Sequence, residues 1–176
     1  MNRKVLVMAV ALMAVAMLAT PVMATPATRV TKVPVTVTLV VSSIPNPLVP
    51  PGWTIGYITI IKDWTLSGGI VTFSTLPGMQ FDCYSKVYGI ENMKTKEGVY
   101  IYYSVWSLVG GGGSFKGIQI YRAHGLTGGL PPYTSYSVDA IFKGTGMFEG
   151  QTIVFSNEGP IVPPPVPYGY GFHLTR

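Results

Sequence analysis

Between Val33 and Val41 the chain sets Val33, Val35, Val37, Leu39 and Val41 at every second position, with Pro34, Thr36, Thr38 and Val40 between them. Period two in β-branched residues predicts a strand with one face on a core. Pro34, which lacks an N–H, places the start of that strand at a sheet edge or outside the ladder. Further β-runs follow at 53–61, 69–74, 98–108, 115–121, 135–142, 151–155 and 168–174, separated by Gly, Pro, Ser and Asn clusters. No comparable window carries the three-and-four spacing of an amphipathic helix, and the one helix-capable stretch, 90–97, is short. About eight short strands with glycine-rich turns predict an all-β fold, a small antiparallel β-barrel whose interior admits side chains or one small ligand. Two proline-rich runs, 44–52 and 160–167, read as stiff extended connections.

The first twenty-four residues depart from this pattern. Arg3 and Lys4 precede an uncharged apolar run from Val5 to Leu18, and Val22-Met23-Ala24 closes it after Thr20 and Pro21. A basic start, an apolar run short for a bilayer and a compact cleavage site predict a secretory signal peptide cut after Ala24. Residues 25–176 then form a single β-barrel domain, secreted or at the extracellular surface. No stable transmembrane anchor remains after cleavage, because no later run reaches about twenty apolar residues.

Composition sharpens the partner expectations. The formal charge is +5, of which Arg3 and Lys4 supply two, leaving +3 from Thr25 onward. The remaining cations are dispersed apart from Lys94 and Lys96, so no nucleic-acid stripe is expected. Only 11% of residues are charged and 48% are hydrophobic, which predicts a strongly buried core and a further apolar face for self-association into a homo-oligomer. Cys83 is the single cysteine, so stability comes from packing or oligomerisation and not from an intramolecular disulfide.

Glycine gives a second pattern. Gly111, Gly113, Phe115 and Gly117 recur at a constant offset as Gly144, Gly146, Phe148 and Gly150. The expected role of these six glycines is structural: two similarly built turns entering strands, each with a Phe facing the core. A phosphate loop is excluded, since the residues after the second copy, Gln151 to Phe155, are strand-like where a dinucleotide fingerprint needs a helix. Neither copy ends in Gly-Lys-Ser/Thr.

The segment Phe142-Lys143-Gly144-Thr145-Gly146-Met147-Phe148-Glu149-Gly150-Gln151-Thr152 resembles the Gly-Thr-Gly-x-Phe-x-Gly segment of dirigent and allene oxide cyclase-like β-barrels. The resemblance runs over roughly 110–159. It implies an eight-stranded antiparallel barrel, often oligomeric, that holds a hydrophobic small molecule. It carries no functional residue over to this chain.

Candidate chemistry is sparse. His124 and His173 lie far apart without metal-ligand spacing to Cys83 or a carboxylate, so no metal is expected, and both read as exposed structural histidines. Asp82, Asp139 and Glu149 are the acids to consider for the interior; Asp139, interrupting the run 136–142, is the one catalytic candidate, with an outward structural role the more ordinary reading. Lys116 and Glu149 share a repeat position, which points Glu149 to solvent. Aromatics are the stronger hint. Tyr100 and Tyr102 share one strand face while Ile101 and Tyr103 share the other. Trp64, Tyr100, Tyr102, Trp106 and Tyr121 are the candidate ligand-binding residues.

These readings converge on a secreted β-barrel that binds a hydrophobic or aromatic small molecule without catalysing a reaction and without a cofactor. Two alternatives stand beside it. One is an isomerase or cyclase acting by cavity shape and one or two polar groups. The other is a cell-surface structural or adhesive protein with a solid interior and an exposed aromatic strip.

Overall fold

The computed structural model describes residues 30–41, 52–127, 134–160 and 166–176. The signal peptide and its cleavage site, most of both proline-rich runs and the glycine-proline turn at 128–132 lie outside the described residues. Those described form nine strands and no helix: β1 (Thr31–Val41), β2 (Gly52–Ile55), β3 (Ile58–Phe73), β4 (Phe81–Asn92), β5 (Glu97–Leu108), β6 (Gly113–His124), β7 (Ser135–Gly146), β8 (Thr152–Pro160) and β9 (Val166–Thr175).

All pairings are antiparallel, in the order β1-β9-β8-β7-β6-β5-β4-β3-β2, and β1 also pairs with β3. Eight strands therefore form a closed, barrel-like ring, with β2 attached outside it as a hairpin on β3. Closure removes the open edges that an eight-stranded sheet would otherwise leave at its first and last strands. Pro34 lies in the part of β1 that pairs only with β9, the edge-like placement its missing N–H requires.

Strict alternation builds the interior. Along β5, Tyr100, Tyr102, Ser104 and Trp106 point inward and Val99, Ile101 and Tyr103 point outward. At one end of the ring Phe73, Phe81, Phe115 and Phe148 pack edge-on and stacked, with Phe115 and Phe148 centroids 4.9 Å apart. Above them Trp106 stacks on Phe142 at 3.7 Å, and Phe155 lies parallel to Phe142. A third aromatic layer joins Tyr102, Tyr121, Tyr136 and Tyr168. Burial of this many rings supplies the main stabilisation, and their offset and edge contacts add about 0.5–1.5 kcal/mol per pair.

The strand expectations need four corrections, the first being that β4 (Phe81–Asn92) answers to none of the expected runs. The run 53–61 is not one strand. It contains the β2–β3 hairpin, where Gly56, at φ 60°, supplies the positive φ that a two-residue turn can take at its first position. The rest of that run and the run 69–74 belong to one long strand, β3, bent by register shifts at Ile61/Trp64 and Ser67/Gly69. The helix-capable stretch 90–97 is the end of β4, a turn and the start of β5. Asn92 Oδ1 accepts from the amides of Lys94 (3.0 Å) and Thr95 (3.3 Å), an Asx turn that directs the chain back as β5.

The glycine repeat also works differently from two equivalent strand entries. Its first copy is the turn into β6, whereas its second is the end of β7 and the turn after it. The two copies meet at one end of the ring, where Gly113 and Gly146 are register partners. Phe115 enters from a strand and Phe148 from the turn. The fold-back of Phe148 needs Gly144, since a Cβ there would collide with the Phe148 carbonyl oxygen.

Candidate functional site

A partly enclosed pocket of about 130 Å³ lies in the interior of the ring. Six of the ring's eight strands contribute to it: β1 (Leu39), β3 (Leu66, Ser67, Gly69), β4 (Cys83, Ser85), β5 (Tyr102, Trp106), β6 (Gln119) and β9 (Tyr168). It lies beside the bent middle of β3, where pairing on that side passes from β2, ending at Ile61, to β1, beginning at Gly69. None of the lining residues is charged.

A hydrogen-bonded chain crosses the pocket wall. Tyr168 Oη donates to Gln119 Oε1 at 2.6 Å, Gln119 Nε2 donates to Ser104 Oγ at 2.8 Å, and Ser104 Oγ lies 2.7 Å from Ser85 Oγ. If the Ser104 proton continues in the same direction, Ser85 becomes the terminal donor. Its next neighbour on the chain is the Cys83 sulfur at 3.8 Å. Ser85, Ser104 and Gln119 are all buried, where an unmatched polar group costs about 1–3 kcal/mol.

Trp106 adds a second donor. Its side chain is 1% exposed, and Nε1 has no oxygen acceptor among the described residues. Burial pushes the Cys83 thiol above the ordinary range, while the Ser85 hydroxyl and the Trp106 N–H act in the opposite direction without overcoming it. Cys83 is therefore a protonated wall residue at neutral pH and not an activated nucleophile.

Of the aromatic candidates, Tyr102 and Trp106 line this pocket. Tyr121 stands behind Tyr102 at 5.5 Å. Tyr100 is buried outside the pocket lining and donates to Glu91 Oε1 at 2.5 Å. Trp64 packs partly buried against the core from the bent part of β3. Sequence reasoning passed over Ser85, Ser104, Gln119 and Tyr168; the available signal was the inward parity that Ser104 shares with Tyr100 and Tyr102.

Asp139 is not an interior acid. It points outward from β7 and pairs with Arg122 at 2.8 Å, both side chains being about half exposed. Asp82 and Glu149 are exposed as well. His124 is partly exposed at the end of β6, 3.8 Å from Glu97. His173 departs from the exposed reading: it is 5% exposed, its Nδ1 lies 2.9 Å from Thr75 Oγ1 and its Nε2 lies 2.9 Å from Gln151 Oε1. Burial lowers its pKa. No group of three or more His, Cys, Asp or Glu residues that could hold a metal occurs among the described residues. Comparisons with protein-family models, curated proteins and solved structures returned no match.

Proposed function

We propose that this protein is a non-catalytic binder of a small, uncharged hydrophobic or aromatic molecule, held in the interior pocket with an acceptor oxygen turned to Ser85 and Trp106. The observation that carries this reading is the fully buried Trp106 Nε1 in the wall of an uncharged pocket, whose N–H acts on the weakly accepting Cys83 sulfur and has no oxygen acceptor among the described residues. A space of about 130 Å³ suits one six-membered ring, since a cavity of about 150 Å³ in another protein's core accommodates benzene. A carboxylate or ammonium group would enter without a counter-charge and at a high desolvation cost. Export through the leader at 1–24 and a dirigent-like relationship through 142–152 belong to the same proposal.

Thermal denaturation with phenol, cyclohexanone, benzene and benzoate tests it. Phenol and cyclohexanone are expected to raise Tm more than benzene, and benzoate to leave it unchanged. Ser85→Leu, which fills the space, should remove the shifts. Absence of a shift with every probe, or an equal shift with benzoate, overturns the reading.

A second reading has its own support. The aromatic layers fill most of the interior, and large hydrophobic side chains stand on the outer wall, as a structural or adhesive protein would use them. The cavity-shaped isomerase or cyclase loses Asp139 as its acid, while Tyr102 and Tyr168 in the pocket lining leave it a tyrosine hydroxyl.

A further inference from the structure

The β2–β3 hairpin ends in a hydrophobic tip that its turn does not require. Gly56, at φ 60°, meets the conformational demand of the two-residue turn, and the position after it ordinarily takes a small polar residue. Here that position is Tyr57, 64% exposed, and the preceding Ile55 is 68% exposed, the two highest values among the large hydrophobic residues described. Trp53, half exposed, opens a register row of Trp53, Ile60, Ile90 and Val99 that crosses β2, β3, β4 and β5. None of Trp53, Ile55, Tyr57, Ile90 and Val99 belongs to the core.

The tip lies beside the β4–β5 turn. Met93 N donates to the Tyr57 carbonyl at 2.9 Å, and the Asx turn on Asn92 holds Lys94 next to it. Lys94 and Lys96 are exposed and form no ion pair among the described residues. The neighbouring carboxylates have other partners: Glu91 accepts from Tyr100 Oη at 2.5 Å, and Glu97 lies 3.8 Å from His124 Nδ1. The backbone of the tip is paired as well, Ile55 with Ile58 across the turn and the Tyr57 carbonyl with Met93. Moving the tip into an apolar phase therefore strips water from few peptide groups, which is the main cost for irregular backbone.

Area and residue type decide what meets the tip. With about 200 Å² for each large side chain, Trp53, Ile55, Tyr57, Ile90 and Val99 expose roughly 570 Å². That is a large patch for a monomer, yet it falls short of the roughly 800 Å² per partner of a standard protein interface. The hairpin stands outside the ring, so its tip can enter a fluid surface without the barrel following. Trp and Tyr favour the headgroup level of a bilayer, and lysines beside them favour anionic headgroups.

We propose that the β2–β3 hairpin docks this protein on a bilayer bearing anionic phospholipid: Trp53, Ile55 and Tyr57 enter the interfacial layer, and Lys94 and Lys96 meet headgroup phosphates. The formal charge, +5 for the whole chain and +3 from Thr25 onward, has the sign that such a surface attracts. This goes beyond the pocket reading, because none of these residues lines the interior pocket and the test uses no pocket ligand.

Titration of the exported protein with vesicles of brominated phosphatidylcholine and phosphatidylglycerol tests the docking, read as quenching of tryptophan emission. The vesicles are expected to quench a part of the emission that Trp53→Phe removes, a signal the leader cannot produce because it holds no tryptophan. Affinity should be about tenfold higher for the mixed vesicles than for phosphatidylcholine alone, and Lys94→Glu with Lys96→Glu should abolish that preference. Ile55→Asp and Tyr57→Asp should each weaken binding at least about tenfold. Met147→Asp replaces an apolar side chain 57% exposed at the opposite end of the ring and should bind as the unaltered protein does. Every variant should keep the unaltered Tm, since these side chains lie outside the core. Absence of quenching, quenching that survives Trp53→Phe in full, no preference for phosphatidylglycerol, or equal binding by Ile55→Asp and Tyr57→Asp overturns the proposal. So does an equal loss in Met147→Asp, or a dimer in sedimentation velocity that Ile55→Asp dissociates, which would place a second copy on the tip.

Discussion

The Tyr168 hydroxyl donates to the Gln119 side-chain carbonyl at 2.6 Å, joining β9 to β6 across the ring's interior. Strands three places apart in the wall are thus connected by side chains as well as through their neighbours. Tyr168→Phe leaves the buried Gln119 oxygen without that donor and should cost about 1–3 kcal/mol in urea denaturation. Adding Gln119→Leu should recover part of the loss, because the orphaned acceptor is then gone. A double-variant cycle that is simply additive would show that the two residues do not act together.

Cys83 reports on the pocket. Burial raises its pKa, so its thiolate fraction near pH 8 should fall below that of an ordinary cysteine. Alkylation of the native protein is expected to be at least about tenfold slower than in denaturant, and slower again with phenol bound. Equal rates in the native and unfolded states would contradict the buried placement.

His173 sets a pH dependence. Its folded pKa lies below the unfolded value of about 6.5, so the unfolded chain takes up the proton first as pH falls. The His173 contribution is full above about pH 6.5 and declines as pH drops through that value towards the folded pKa. Tm should therefore fall between about pH 7.5 and 5.5, and His173→Gln should flatten that part of the curve. An unchanged slope in the variant would remove His173 as its source.

Gly144 and Gly159 make a contrasting pair. A Cβ at Gly144 meets the Phe148 carbonyl oxygen, whereas one at Gly159 meets nothing within 4 Å. Gly144→Ala should destabilise by more than about 2 kcal/mol and Gly159→Ala by less than about 0.5 kcal/mol, read from denaturant midpoints.

Asp139→Asn is expected to change stability by less than about 1 kcal/mol, because the Arg122–Asp139 pair is solvent-exposed. Phenol binding should be unaltered. A lost thermal shift in this variant would return Asp139 to the functional site.

Alternation made the all-β class and most strands legible, since Val35 and Val37 on β1 or Tyr100 and Tyr102 on β5 repeat on one face. β4 escaped because its inward positions include Cys83, Ser85 and Gly89 while Tyr84 and Ile90 point outward. The small and polar residues that line the pocket thus weakened the hydrophobic signal of the strand carrying them. Counting eight strands nevertheless matched the ring, because splitting β3 compensated for missing β4. The glycine repeat was visible, but the pairing of Gly113 with Gly146 follows from an antiparallel hairpin, which equal spacing cannot reveal. His173 was misread because its partners, Thr75 and Gln151, come from distant turns.

Thr31 and Thr175 are register partners, so the first and last strands lie side by side. From β3 to β9 each strand pairs with its successor, and β1 joins the two ends of that series. The connectivity is cyclic in all but one covalent link, and the β1–β9 seam is where it is interrupted. A circular permutant that bridges this seam and opens the turn at Lys94–Thr95 would keep every strand neighbour of the ring. The seam is also the place to expect strand exchange: a copy that releases β1 exposes β9 and β3 together, and a neighbouring β1 can fill the gap without a new pairing pattern.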